Sequence, residues 1–396
     1  MKAEIPHEKL SDLQFRGLFR SLPDTYTRPG AEVTVSGQIL LSFCSNNYLG
    51  LATHPQVISE SVQAVQESGC SATGSRLLSG NLDLHQKLEI ELAEFKGAEK
   101  ALLFNTGYSA NQSVLNALTG PADLLVSDQL NHASLIDAAR SSGGKARFFR
   151  HRNLQAADRL LGGACDGKKF LIVDGVFSMD GDIVALPECI EIARRHSATL
   201  IVDEAHSTGI LGQTGRGTFE HFGLSTSAVD HGLPAIIQVG TLSKALGGFG
   251  GFVASDAMTC SLLINFARPF IYSTALPPAV LASSLAALKI LKSPEGLFLL
   301  QSLRKNSRQL SLGLKALGFN TPESDTPIIP LILGQSETAL AFAEKLRTHG
   351  IWTFAVRPPS VKPGTSRLRL TVMATHTAPQ IEKALNAFDL IGKQFR

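Results

Sequence analysis

The sequence predicts an α/β protein: a large domain built on a mostly parallel sheet with helices on both faces, then a smaller α+β domain at the C-terminal end. Two observations carry this. Short, wholly apolar runs alternate with amphipathic helical patterns through the middle of the chain, and uninterrupted apolar runs suit strands buried on both faces. The chain is also 396 residues long, more than one hydrophobic core usually organises, so two domains are expected.

Taken in order, residues 1–45 are expected to form an N-terminal arm, 46–290 the large domain and 291–396 the C-terminal domain. Leu84, Leu88, Leu92 and Phe95 share one face of a helix. Residues 101–104, 124–126, 170–173, 199–202, 235–239 and 251–254 read as short buried strands. A helix over 186–196 follows the turn Asp180-Gly181-Asp182. Prolines between Pro269 and Pro278, then Ser293-Pro294-Glu295-Gly296, mark the change of domain. Beyond it come a helix over about 295–317, a strand over 328–333, a helix near 337–349, a strand ending at 369–372 and a last helix from Ala378. Ligands of such sheets bind beyond the carboxyl ends of the strands.

Composition removes several function classes. The net charge is +3, and lysine and arginine are scattered, so there is no footprint for nucleic acid or a membrane surface. Cys44, Cys70, Cys165, Cys189 and Cys260 are isolated, with no C-x-x-C pair. They read as buried small hydrophobes in a reducing compartment, not as a disulfide framework or zinc site. No metal is expected. The first residues lack the apolar stretch of a signal peptide, and no run is long enough to span a membrane. A cytoplasmic protein is expected.

The chemistry concentrates in a few segments. Lys244 sits in Gly240-Thr241-Leu242-Ser243-Lys244-Ala245-Leu246-Gly247-Gly248, where small neighbours suit a tight loop against a ligand rather than a surface face. Asp203 ends an apolar strand and His206 follows three residues on, in Asp203-Glu204-Ala205-His206. A helix cap is the alternative use of such an aspartate. Asn105-Thr106-Gly107-Tyr108-Ser109-Ala110-Asn111 joins a strand to a helix whose start can bind a phosphate. Together these are the parts pyridoxal 5'-phosphate (PLP) chemistry needs: a lysine for a Schiff base, a carboxylate for the pyridine nitrogen and donors for the phosphate. The hydroxyls of Thr241, Ser243, Ser273 and Thr274 can add donors. His132 can stack on the cofactor ring or simply start a helix, and Ser178 can hydrogen-bond ring substituents. Arg367 and Arg369 share one face of a strand. A half-buried arginine needs a partner, which is either a substrate carboxylate or an internal ion pair.

These segments resemble the α-oxoamine synthases, PLP enzymes of the aspartate-aminotransferase-like fold (fold type I). The resemblance runs from about Leu41 to the C-terminus. It is carried by Ser45-Asn46-Asn47-Tyr48-Leu49-Gly50-Leu51, Gly74-Ser75-Arg76-Leu77-Leu78-Ser79-Gly80, Asn131-His132, Gly175-Val176-Phe177-Ser178-Met179-Asp180-Gly181, Asp203-Glu204-Ala205-His206 and Thr241-Leu242-Ser243-Lys244.

The resemblance implies a decarboxylative condensation of a small amino acid with an acyl thioester. In it Lys244 would bind PLP and move the α-proton, and Asp203 would pair with the ring nitrogen. His206 would pair with the phenolic oxygen and His132 would stack on the ring. Gly107 and Tyr108 would give backbone amides to the phosphate, with Arg369 on the amino-acid carboxylate and Asn46, Asn47 and Arg20 near the substrate. It also implies a homodimer with sites at the interface, where Ser273 and Thr274 would serve the partner's phosphate. Within the family, the tail from Arg357 to Arg369 and the compact length resemble the biotin-pathway branch. That branch joins L-alanine to a pimeloyl thioester on CoA or acyl carrier protein. Branches joining glycine with acetyl-CoA, or serine with a long acyl chain, are the alternatives. Asp174 stands where many relatives carry glutamate, and no role is assigned to it.

Overall fold

The computed structural model describes residues 7–15, 18–20, 22, 24, 27–224, 226 and 234–395. Its centre is a seven-stranded sheet. In spatial order the strands are Lys100–Phe104, Gly251–Ser255, Ile236–Thr241, Thr199–Asp203, Lys169–Asp174, Leu124–Asp128 and Lys145–Phe149. Every pairing is parallel except the two made by Gly251–Ser255, which runs against both neighbours. Alternate side chains enter opposite cores. Leu200 and Val202 join Leu171 and Val173 on one face, while Ile201 packs with Ile172 and Ile237 on the other. Both faces are therefore dry, as the apolar runs require.

Six of the seven strands lie where the apolar runs put them. The seventh, Lys145–Phe149, escapes sequence reading because it is an edge strand. Its side chains are mostly exposed or half-buried, and it carries Lys145 and Arg147, so it shows no apolar run. Cysteine burial also differs from expectation. Cys189 and Cys260 are buried, Cys44 and Cys165 are half-buried, and Cys70 is exposed in the loop after helix Pro55–Ser68.

A second sheet, Ile328–Gly334, Ser366–Thr371 and Ala355–Val356, is antiparallel. Helices Pro294–Ala316, Ser336–Thr348 and Ala378–Gly392 pack with it around Leu310, Phe342, Leu368 and Phe388. The hairpin Glu32–Val35 and Gln38–Ser42 joins this end of the molecule, since Gln38–Ser42 pairs in parallel with Ile351–Trp352. No helix among the described residues is long and apolar enough to cross a membrane.

The sheet presents its functional edge at the carboxyl ends of the parallel strands. Asp128, Asp174, Asp203 and Thr241 are the last residues of four of them. Asp174 and Asp203 are directly paired in register. The chain then turns sharply to place Lys244. The Ser243 N–H donates to Thr241 Oγ1 (3.2 Å), and the Thr241 hydroxyl donates to the Gly250 carbonyl (2.8 Å). Gly247 closes the turn at φ +64°, where an added Cβ would stand 2.2 Å from the Ala52 backbone nitrogen. Gly247→Ala is therefore expected to cost about 2 kcal/mol or more from left-handed backbone and overlap. A thermal melt checks this; an unchanged Tm would show that the turn relaxes freely.

Candidate active site

Lys244 extends its amine to His206, with Nζ 2.9 Å from Nε2. The far side of the same imidazole meets Tyr48, with Nδ1 2.9 Å from the hydroxyl. The Tyr48 hydroxyl donates to Asn46 Oδ1 (3.0 Å) and accepts from Arg369 NH2 (3.3 Å). With that proton committed, the network assigns the His206 proton to Nδ1 and leaves Nε2 to accept from the amine. Burial holds His206 well below its ordinary pKa, and the Lys244 and Arg369 charges push the same way. The imidazole is thus a neutral relay. Burial also lowers Lys244 to about 8, although the Asp203 charge opposes the shift. A lysine near 8 has a reactive share of free amine at neutral pH.

Asp203 is held from two sides. Asn111 Nδ2 donates to its Oδ2 (2.7 Å) and the Ala205 N–H to its Oδ1 (2.9 Å). Asn111 Nδ2 also reaches Ser134 Oγ (2.9 Å), which lies 2.8 Å from His132 Nδ1. The Ser134 N–H donates to the same ring nitrogen (3.2 Å). His132 therefore caps helix Ala133–Ser141 with its own side chain, so the capping alternative and a place in the site hold together. Its backbone N–H donates to Asp174 Oδ2 (2.8 Å), while Asp174 Oδ1 is buried without a partner among the described residues. Burial, then the like charge of Asp203, raises Asp174 well above the carboxylate range. Both causes disfavour its charged form.

Helix Gly107–Leu118 begins beside the Lys244 loop, and a Cβ at Gly107 would touch Thr241 at 3.4 Å. Thr106 caps the helix by accepting from the Ser109 N–H (3.0 Å). The Gly107 and Tyr108 N–H groups are left without a protein acceptor among the described residues. An unpaired helix start is an anion site. Ser243 is exposed beside it, whereas Thr241 is committed to its own turn.

Arg369 and Arg367, one face in the sequence, part company here. Arg367 forms an ion pair with Asp180. Arg369 donates to the Ser178 carbonyl, to Asn46 Oδ1 (3.1 Å) and to Tyr48, and no carboxylate lies within 4 Å of it among the described residues. A half-buried guanidinium with only neutral partners is set to receive an anion.

Other expected residues sit elsewhere. Asn47 is spent on the backbone, donating to the Pro29 carbonyl (2.8 Å) and accepting from the Ala52 N–H (3.2 Å). Arg20 is exposed, with a 3.5 Å contact to Ser360. Ser178 meets Arg369 through its carbonyl rather than its hydroxyl. The Tyr108 side chain turns outward to Asp137 (2.8 Å). Ser273 and Thr274 lie on a segment bridged to Ser75, with the Thr274 carbonyl held by Asn105 (2.9 Å). Sequence reading assigned no role to Tyr48, Asn111 or Ser134. Tyr48 and Asn111 lie inside motifs already singled out, and Ser134 stands two residues beyond His132. A wide groove of about 1370 Å³ between helix Pro294–Ala316 and the loop at Gly212 lies apart, with none of Lys244, Asp203 or His206 in its wall.

A family model for class I and II aminotransferases matches residues 38–388. The chain belongs to this family. One relative is an 8-amino-7-oxononanoate synthase of Geobacter sulfurreducens, 45% identical over 391 residues, covering 98% of this chain and 97% of that protein. A serine palmitoyltransferase from S. paucimobilis with bound PLP–myriocin superposes with a TM-score of 0.90 at 31% identity, covering 98% of this chain and 96% of that one. An 8-amino-7-oxononanoate synthase from Francisella tularensis superposes with a TM-score of 0.76 at 30% identity, covering 90% of this chain and 98% of that one.

PLP is the cofactor, and the donor set fits it. There is an unpaired helix start for phosphate, a buried carboxylate for the ring nitrogen, and an amine lowered to about 8 for the aldehyde carbon. Borohydride reduction of the PLP-loaded protein followed by peptide mapping is expected to find the phosphopyridoxyl group on Lys244. A label on another lysine would move the attachment point.

Proposed function

We propose that this chain is an acyltransferase that condenses L-alanine with a pimeloyl thioester, on CoA or acyl carrier protein. The products are 8-amino-7-oxononanoate, CO2 and free thiol, within biotin biosynthesis. The observation that carries the reading is Arg369: a guanidinium without a carboxylate partner among the described residues, one tyrosine and one histidine away from the Lys244 amine. It supports a substrate that brings its own carboxylate to a lysine-borne cofactor. The synthase relatives at 45% identity support the alanine branch.

When bound, PLP supplies a protonated ring that accepts the electron pair left at the amino acid's α-carbon. Asp203, oriented by hydrogen bonds from Asn111 and the Ala205 N–H, would hold the proton on the ring nitrogen. His132 would lie against the ring, and the Gly107 and Tyr108 amides would hold the phosphate. Arg369 fixes the alanine carboxylate and so aims the α-C–H. Lys244 Nζ takes that proton as a neutral amine, with His206 Nε2 2.9 Å away to hold the amine in place. The α-carbon bonds to the thioester carbonyl and the thiolate leaves. The new carbonyl stands β to the carboxylate, which departs as CO2, and Lys244 returns a proton to the α-carbon.

A second copy of the chain completes the site in this reading. Segments 74–80 and 272–275 pair with each other and expose Leu78 (85%) and Tyr272 (71%) beside the phosphate end. Apolar side chains so exposed suit burial in a homodimer. Ser273 and Thr274 would then face the partner's phosphate. The reaction is placed in the cytoplasm, where CoA and carrier-protein thioesters are made.

The test is thiol release from pimeloyl-, acetyl- and palmitoyl-CoA, each with alanine, glycine and serine. Release with alanine and pimeloyl-CoA alone is the expected result. Release with serine and palmitoyl-CoA, the chemistry suggested by the serine palmitoyltransferase superposition, or with glycine and acetyl-CoA, would replace the named substrates.

A further inference from the structure

His151 belongs to none of the motifs above. It lies between strand Lys145–Phe149 and helix Leu154–Leu161, yet both of its ring nitrogens face carboxylates. Nδ1 is 3.1 Å from Asp128 Oδ2, and Nε2 is 3.0 Å from Asp182 Oδ2. A neutral imidazole carries one N–H and would set a lone pair against one carboxylate. Only the doubly protonated ring satisfies both contacts. The Phe177 ring packs edge-on at 4.4 Å, and Arg152 stands 3.9 Å from Asp182. Burial works against the charge, but the hydrogen bonds and charges of Asp128 and Asp182 outweigh it and raise His151 to about 9.

Each of the two aspartates belongs to a loop of the active site. Asp128 ends its strand and accepts from the Leu130 N–H (2.8 Å) and the Arg152 N–H (3.1 Å), and its carbonyl accepts from the Asn131 N–H. His132 is the next residue. The Asp182 carbonyl accepts from the Phe177 N–H (3.0 Å), closing the loop 177–182. That loop seats the carboxylate-binding strand. The Ser178 carbonyl accepts from Arg369 and Asp180 pairs with Arg367, while the Gly181 carbonyl accepts from Ser324 and Thr326, both at 2.9 Å.

We propose that His151 is a positioning residue: as an imidazolium bridging Asp128 and Asp182, it fixes the loop of His132 against the loop that seats Arg369, and so sets the affinity for the amino-acid carboxylate. This rests on the reading that Arg369 holds that carboxylate. The bridge persists below about pH 9 and is lost as His151 gives up its proton above it.

The experiment compares His151→Ala, Asp182→Asn and Arg369→Ala with wild type, all loaded with PLP. Alanine affinity is read from the absorbance of bound PLP, cofactor placement from its circular dichroism, and thioester KM from thiol release. His151→Ala and Asp182→Asn are expected to weaken alanine about tenfold, the scale of one charge-assisted contact, with altered dichroism and little change in thioester KM. The ratio of wild-type to His151→Ala affinity should fall toward one as pH rises through about 9. Equal weakening of alanine and thioester, or unchanged alanine affinity in folded variants, would overturn the proposal. If His151→Ala does not fold, Asp182→Asn, which keeps the Asp128 contact, decides alone. Loss of alanine affinity in Arg369→Ala but in neither other variant sinks the His151 role only. Unchanged affinity in Arg369→Ala removes the underlying reading as well.

Discussion

The amine of Lys244 is carried into a site where burial disfavours its charge, and the surrounding groups are arranged around that fact. Burial pulls the amine toward neutrality, and Asp203 keeps the shift from going further. His206 offers the amine an acceptor without adding charge, because its other nitrogen is turned to Tyr48. Two more positive charges nearby would defeat the arrangement, and burial holds both His206 and His132 below their ordinary pKa. Arg369 is a fixed cation linked to the amine through Tyr48 and His206, and its charge adds to the lowering of Lys244.

The scaffold that permits this is the carboxyl edge of the parallel sheet. Three aspartates end neighbouring strands, and like charges so placed disfavour one another. The structure gives each a different solution. Asp128 is matched by His151, Asp203 by amide donors, and burial with the Asp203 charge raises Asp174 well above the ordinary carboxylate range. Behind the edge, Glu204 answers to Lys96 in a fully buried pair at 3.4 Å. Glu204 also accepts from Ser207 and from the Thr218 N–H (3.0 Å). That pair ties residues 204–218, and with them His206, to helix Asp83–Lys96. Removing one partner of such a pair typically costs about 3–5 kcal/mol.

Much of this was legible in the sequence. The parallel strands announce themselves because both faces are dry, and Lys244, Asp203 and His206 because a lysine among small residues and an acid at a strand end are unusual. The edge strand Lys145–Phe149 was hidden by its charges and exposure. Side-chain direction was hidden as well. Neighbouring Asn46 and Asn47 look equivalent on paper, yet only Asn46 meets Arg369, while Asn47 braces the backbone at Pro29 and Ala52. Arg367 and Arg369 share a strand face and still divide, because Asp180 stands beside only one of them. Such choices are made by tertiary neighbours, which local patterns do not encode.

The most direct measurement follows the α-proton of L-alanine by NMR in D2O with the PLP-loaded protein. The wild type should exchange that proton for deuterium, and Lys244→Ala, with PLP still bound, should leave it in place. Exchange at the wild-type rate in Lys244→Ala would mean that another group moves the proton, and the arrangement described around the buried amine would lose its chemical purpose.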